Sequence, residues 1–148
     1  MKKFALALSA VILSATAVTA ADDPIAARKA LMQAVGASAG TAGAMMKGEL
    51  AYSPAVGKAS IATMAGVSHV FADYFPAGST SDKSTAAPKI WEDAAGFAAA
   101  NAKFMADAGA AAAASGKDGP ADLDAFKAAA GPVLANCKAC HEVYRIQK

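Results

Sequence analysis

Near the C-terminus stands the run Cys137-Lys138-Ala139-Cys140-His141, and its two cysteines are the only ones in the chain. On a helix, positions 137, 140 and 141 share one face, so two thiols and an imidazole are offered to the same neighbour. Two cysteines at that spacing, followed directly by histidine, form the attachment signature of a c-type haem. The thiols add to the two vinyl groups of the ring while His141 rises towards the iron. A disulfide and a redox-active Cys-x-x-Cys pair are the competing uses, but the latter normally follows a strand in a mixed fold. Zinc would need a fourth ligand that the sequence does not obviously offer. Neither a disulfide nor a redox pair accounts for the adjacent histidine.

The N-terminus sets the compartment. Lys2 and Lys3 precede an apolar run from Phe4 to Val18, and Val18-Thr19-Ala20 supplies small residues for cleavage. This is the layout of a secretory signal peptide, with residues 1–20 removed and 21–148 left as one domain. The apolar run is shorter than the ~20 residues a membrane span requires. The reading is therefore a bacterial precursor exported to the periplasm, not a membrane-spanning protein. Cleavage also changes the charge. The precursor has 14 basic and 12 acidic residues, so losing Lys2 and Lys3 leaves 12 against 12. A formally neutral chain without a basic run excludes nucleic acid as the expected partner.

Alanine and glycine are abundant, and no stretch alternates as a strand would, so the chain reads as all-α. A first helix is expected from about Pro24 to about Lys47, capped by Asp22 or Asp23, with Ile25, Met32, Val35, Ala39, Ala42 and Met46 facing inward. The glycine-rich residues 36–44 are either a loop or a helix kept slender for the close approach of a neighbour or a flat ring. The second helix should run from Pro54 to about Tyr74. After a loop over residues 76–88, Pro88 opens a third helix carrying Trp91, Ala94, either Phe97 or Ala98, Asn101 and Phe104. The last begins near Asp122, carries Phe126, Val133, Cys137, Cys140 and Tyr144 inward, and should kink at Pro132. Four helices with mostly short connections favour an antiparallel up-down-up-down four-helix bundle, here with covalently bound haem.

That topology locates the ring. His141 lies seven residues from the chain end and Met32 about as far into the first helix, so both sit ~10 Å from the same end of the bundle. Phe71, Tyr74, Phe75, Ile90 and Trp91 fall in the same layer. Met45, Met46 and Met105 belong to the opposite half and Met64 to the middle. Met32 is thus the mature-chain methionine placed to face His141, either as sixth iron ligand or as ordinary gap-filling core. His69 points away from the inward stripe of the second helix and reads as a solvated or edge residue.

Arg28-Lys29-Ala30-Leu31-Met32, Ala87-Pro88-Lys89-Ile90-Trp91 and the run from Cys137 to Arg145 together resemble the class II c-type cytochromes, the cytochrome c′ family. The resemblance implies one covalent haem c in a four-helix bundle, and two functional kinds. One is a low-spin electron carrier with a methionine on the first helix as sixth ligand. The other is a high-spin, five-coordinate protein whose apolar distal face admits nitric oxide or carbon monoxide. Gly131-Pro132 and Pro88-Lys89-Ile90-Trp91 look more like the low-spin kind, so the expectation is a periplasmic single-electron carrier with His141 and Met32 as axial ligands. The gas-binding kind is the alternative. Arg28 and Arg145 are expected either beside the haem propionates or as solvated surface arginines. No acid, base or nucleophile constellation argues for an enzyme. Expected partners are redox proteins that the sequence does not identify, with the chain itself a monomer or a homodimer.

Overall fold

The computed structural model describes residues 23–147. The expected signal peptide, residues 1–20, lies outside the described residues. Helix α1 runs over Pro24–Lys47, α2 over Pro54–Val70, the short α3 over Lys89–Glu92, α4 over Ala94–Ser115 and α5 over Leu123–Tyr144. The four long helices form the antiparallel up-down-up-down bundle, α1 packing on α2, α2 on α4 and α4 on α5. Among the described residues no helix is long and apolar enough to cross a membrane.

Each long helix starts where its sequence offers a cap. Asp23 accepts hydrogen bonds from the backbone N–H groups of Ile25 and Ala26, both at 2.9 Å, and Pro24 occupies the first turn. These bonds satisfy donors that no helical carbonyl reaches. The helix stops at Gly48, whose φ of 77° is left-handed and open to glycine without strain. An Asp23→Ala variant should lose about 1 kcal/mol of stability in chemical denaturation, because two N–H groups return to water without their acceptor.

The glycine-rich residues 36–44 are helical throughout, so the loop reading fails. A Cβ on Gly36, Gly40 or Gly43 would meet no protein atom within 4 Å, so no neighbouring helix makes the close approach expected there. Burial of Val35, Ala42 and Met45 into the core outweighs the propensity cost. That core is completed by Ile61 and Met64 from α2, Ala108 and Ala111 from α4, and Phe126, Ala130 and Val133 from α5.

Two boundaries differ from the sequence expectation. The second helix tightens into a 3-10 turn over Phe71–Tyr74 instead of continuing as α. The third is interrupted at Asp93, whose carboxylate accepts from the Gly96 N–H at 3.1 Å and recaps the chain as α4. A short polar side chain that bonds its own backbone competes with helix continuation. Helix α5 is one unbroken element through Pro132.

The loop over residues 76–88 is tied to the end of α5. The Ala87 N–H donates to the Tyr144 carbonyl at 3.0 Å, and the Ile146 N–H donates to the Thr85 carbonyl at 2.8 Å. An antiparallel bridge pairs Ala86 with Arg145. These bonds hold the loop over the end of the bundle where His141 lies.

Candidate functional site

Helix α5 presents Cys137, Cys140 and His141 to one cavity, ≈ 480 Å³ with the solvent-open space at its mouth included. Met32 and Val35 from α1, Phe71 from the 3-10 turn, and Phe97 and Phe104 from α4 complete its walls. Two further clefts share its lining. One, of ≈ 620 Å³, contains Met32, Cys140 and His141 again and extends to Arg28, Lys83 and Arg145. The other, of ≈ 930 Å³, contains Met32, Cys137 and His141 and follows α1 past Gly36. Gly36 therefore faces a groove and not a packed neighbour, consistent with the open space around its Cβ position.

The walls are apolar, and their polar groups are largely engaged elsewhere. Asn101 donates from Nδ2 to the Ser68 carbonyl at 3.1 Å. Asn136 donates from Nδ2 to Asp107 Oδ2 at 2.7 Å and to the Pro132 carbonyl at 3.0 Å. Lys103 meets the same Asp107 oxygen at 2.6 Å, so the Asn136 side chain is pinned between α4 and α5. Both cysteines are free thiols, half-buried. Burial pushes each thiol pKa up, and burial, aided by the Arg145 charge, pushes the His141 imidazole down. Neutral thiols and a neutral imidazole suit an apolar wall.

The aromatic residues form a connected group around this cavity. Phe75 lies with ring centroids 5.0 Å from Phe71 and 4.8 Å from Phe97, and Phe97 lies 5.4 Å from Tyr144. Tyr144 donates from its hydroxyl to Asp93 Oδ2 at 3.3 Å, joining α5 to the start of α4. Arg28 is buried to 4 % exposure, its guanidinium carbon 4.6 Å from the Phe75 ring centroid and 5.9 Å from that of Trp91. Its terminal nitrogens donate to Ser79 Oγ at 3.0 Å and the Ser79 carbonyl at 2.7 Å. Its Nε is buried without a partner.

The layer inferred from the sequence is thus assembled, with Met32, Phe71 and His141 lining one cavity. Met45 and Met64 lie fully buried in the core, and Met105 is exposed. His69 is exposed, as expected. Arg28 is not a solvated surface arginine, whereas Arg145 is exposed at the rim of both clefts. Sequence reasoning missed Val35, Phe97, Asn136 and the loop residues Lys83 to Ala86. Val35 and Phe97 sat on the inward stripes, but no local signal marked the loop.

The residues present fit a haem. The covalent ligands and the imidazole share one apolar cavity, and the orphaned Arg28 Nε calls for an acceptor that a propionate carboxylate would supply. Among the described residues no group of three or more His, Cys, Asp and Glu side chains gathers to hold a bare metal ion.

Comparison with known proteins agrees. A family model described as Cytochrome C′ matches residues 23–145. Cytochrome c′ of Rhodopseudomonas palustris is 40 % identical over 139 residues, covering 93 % of this chain and 92 % of that one. Its solved structure superposes with a TM-score of 0.76 at 41 % identity, over 85 % of this chain and 98 % of that one. Cytochrome c-556 of Agrobacterium tumefaciens (strain apple 185) is 38 % identical over 126 residues, covering 82 % of this chain and 94 % of its own. A nitric oxide complex of a point mutant of cytochrome c′ from Alcaligenes xylosoxidans superposes at 0.72 with 30 % identity, covering 85 % of this chain and 96 % of that one.

These findings overturn the expectation of a low-spin single-electron carrier with six-coordinate His/Met iron; His141 is common to both kinds and is untouched by them. The matched relatives include several cytochromes c′, one of them solved with nitric oxide. The physical reason is that sharing a layer brings Met32 to the cavity without requiring a bond to iron. A flexible thioether lines an apolar wall equally well as packing. The chain belongs to the cytochrome c′ family, whose members carry one covalent haem c.

Proposed function

We propose that the protein is a periplasmic haem protein that binds nitric oxide or carbon monoxide, and that it is a binding protein, not an enzyme. Cys137 and Cys140 would hold the ring by thioether bonds, His141 would ligate the iron, and Arg28 Nε would meet a propionate. A bound haem would supply an iron able to take up a diatomic gas. The observation that carries this reading is the apolar cavity holding both Met32 and His141. Nitric oxide and carbon monoxide are small and nearly apolar, so they enter such a wall without losing hydrogen bonds to water. Anions and strong hydrogen-bonding ligands would leave their hydration behind, at a cost of several kcal/mol. Phe71, Phe97 and Phe104 supply that selectivity, and the flexible Met32 side chain yields to an entering diatomic.

The optical spectrum of the haem-loaded protein tests this. A high-spin spectrum in both oxidation states and ready carbon monoxide uptake by the reduced protein are expected. Met32→Ala should keep the high-spin spectrum and tighten carbon monoxide binding by about tenfold, worth ~1.4 kcal/mol of relieved contact. A low-spin wild-type spectrum with a far-red sulfur-to-iron band, becoming high-spin only in Met32→Ala, would sink the reading.

A further inference from the structure

Asn101 is a polar member of an apolar stripe. On α4 it stands four residues after Phe97 and three before Phe104, so the three side chains share one face. All three line the haem cavity. An amide in such a wall is costly unless its polar atoms are bonded. Its Nδ2 donates to the Ser68 carbonyl of α2 at 3.1 Å, across 33 residues of chain. Ser68 is 0 % exposed, and its own hydroxyl donates to the Ala65 carbonyl at 2.7 Å.

The carbonyl that Asn101 reaches lies where α2 stops being α-helical. The helix ends at Val70, so the carbonyls of residues 67–70 are the four that its own ladder leaves open. The Phe71 N–H closes on the Val67 carbonyl, and Asn101 takes the next one along. Two residues further on the backbone leaves helical geometry, with Val70 at φ −114° and ψ −13°, and the tighter turn Phe71–Tyr74 begins. Phe71 is the first side chain beyond that bend. It lines both the haem cavity and the adjoining cleft, its ring centroid 5.0 Å from that of Phe75. The direction of the ring is therefore set by how the end of α2 is held.

We infer that Asn101 is a positioning residue for gas binding: by capping the Ser68 carbonyl it fixes the bend at Val70 and holds the Phe71 ring in the cavity wall. The hydrogen bonds of a 3-10 turn have poorer geometry than those of an α-helix, so such a turn gains from an outside anchor. Ser68 exposes no surface through which water could take over from the amide. Without the anchor the turn and its ring sample other directions, and the cavity stands wider for part of the time. Asn101 thus sets the rate of gas entry through Phe71 and not by its own contact. The inference deepens the gas-binding reading and rests on it.

The test combines carbon monoxide association with the reduced, haem-loaded protein, measured by flash photolysis, and amide hydrogen exchange of the same protein. Asn101→Leu and Asn101→Asp both remove the donor, and the second, closer in shape, serves if the first does not fold. Each should speed association about fivefold, the population shift that loss of one neutral hydrogen bond supports. Exchange of the amides of residues 71–74 should quicken by a similar factor while those of α4 stay as in the wild type. In a Phe71→Ala background Asn101→Leu should leave association unchanged, because the ring through which it acts is gone. Unchanged association in the single variants, or a change that persists in the Phe71→Ala background, would overturn the inference. A wild type that takes up no carbon monoxide defeats the gas-binding reading by itself, and exchange then decides. Faster exchange confined to residues 71–74 upholds the hold on Phe71, and exchange like that of the wild type overturns it.

Discussion

Cys137→Ser/Cys140→Ser is expected to lose all covalently attached haem while keeping its helices. The two thiols are the only ones in the chain and both line the cavity, half-buried and free. A serine hydroxyl at either position is too weak a nucleophile to form the stable ether that would replace a thioether. Haem staining after a denaturing gel, with intact-mass measurement, reads the outcome directly: the wild type carries the haem mass and the double variant does not. His141 remains, so some haem can still bind reversibly. Tethering converts that reversible contact into one of millimolar effective concentration, and its loss makes occupancy depend on free haem. Apparent stability should then rise with added haem, as it does for any ligand that binds only the folded state. Haem mass retained by the double variant after denaturation would rule out thioether attachment at these positions.

Phe126→Ala should be the most destabilising single change at a distance from the haem, costing about 3–5 kcal/mol. Phe126 is 0 % exposed and lies in the core among α1, α2, α4 and α5. Its ring centroid is 5.5 Å from that of Tyr52. A Cβ on Gly57 would sit only 3.0 Å from Phe126 Cδ2, which shows how closely α2 is packed against it. Removing the ring opens a void that these neighbours cannot close without moving backbone. Against a typical domain stability of about 5–15 kcal/mol, such a loss is a large share. Guanidinium unfolding followed by far-ultraviolet circular dichroism measures it. The optical spectrum of the folded variant should match the wild type, because Phe126 lines none of the three haem clefts. A cost below about 1 kcal/mol would show that the core tolerates the void.

Helix α1 illustrates how much of the fold was legible. Asp23, Pro24 and the inward residues Val35 and Ala42 marked its start and its buried stripe, and its observed span is the expected one. Capping and periodicity act over a few residues, and the chain displays them locally. The second and third helices were less legible at their ends, where Asp93 bonds its own backbone and Phe71 enters a tight turn. Arg28 was less legible still. Nothing near it in sequence shows that it is buried over Phe75 and held by Ser79, residues 47 and 51 positions further along the chain. The loop over residues 76–88 read as featureless, although it supplies Lys83 to one wall of the cleft.

The sequence by itself determined the chemistry of the attachment: the order Cys137, Cys140, His141 lies within two helical turns, and α-helical geometry places these side chains on one face wherever the helix lies. It also determined the neutral charge of residues 21–148. Only the tertiary structure decided how that charge is distributed and what faces His141. Lys29, Lys83 and Arg145 meet at one mouth because the bundle closes and the loop is strapped to the end of α5. Met32 reaches the cavity by the same closure, and there an apolar wall and an iron ligand would be made by the same thioether. The difference between them depends on contacts across more than a hundred residues of chain, and no local pattern records such contacts.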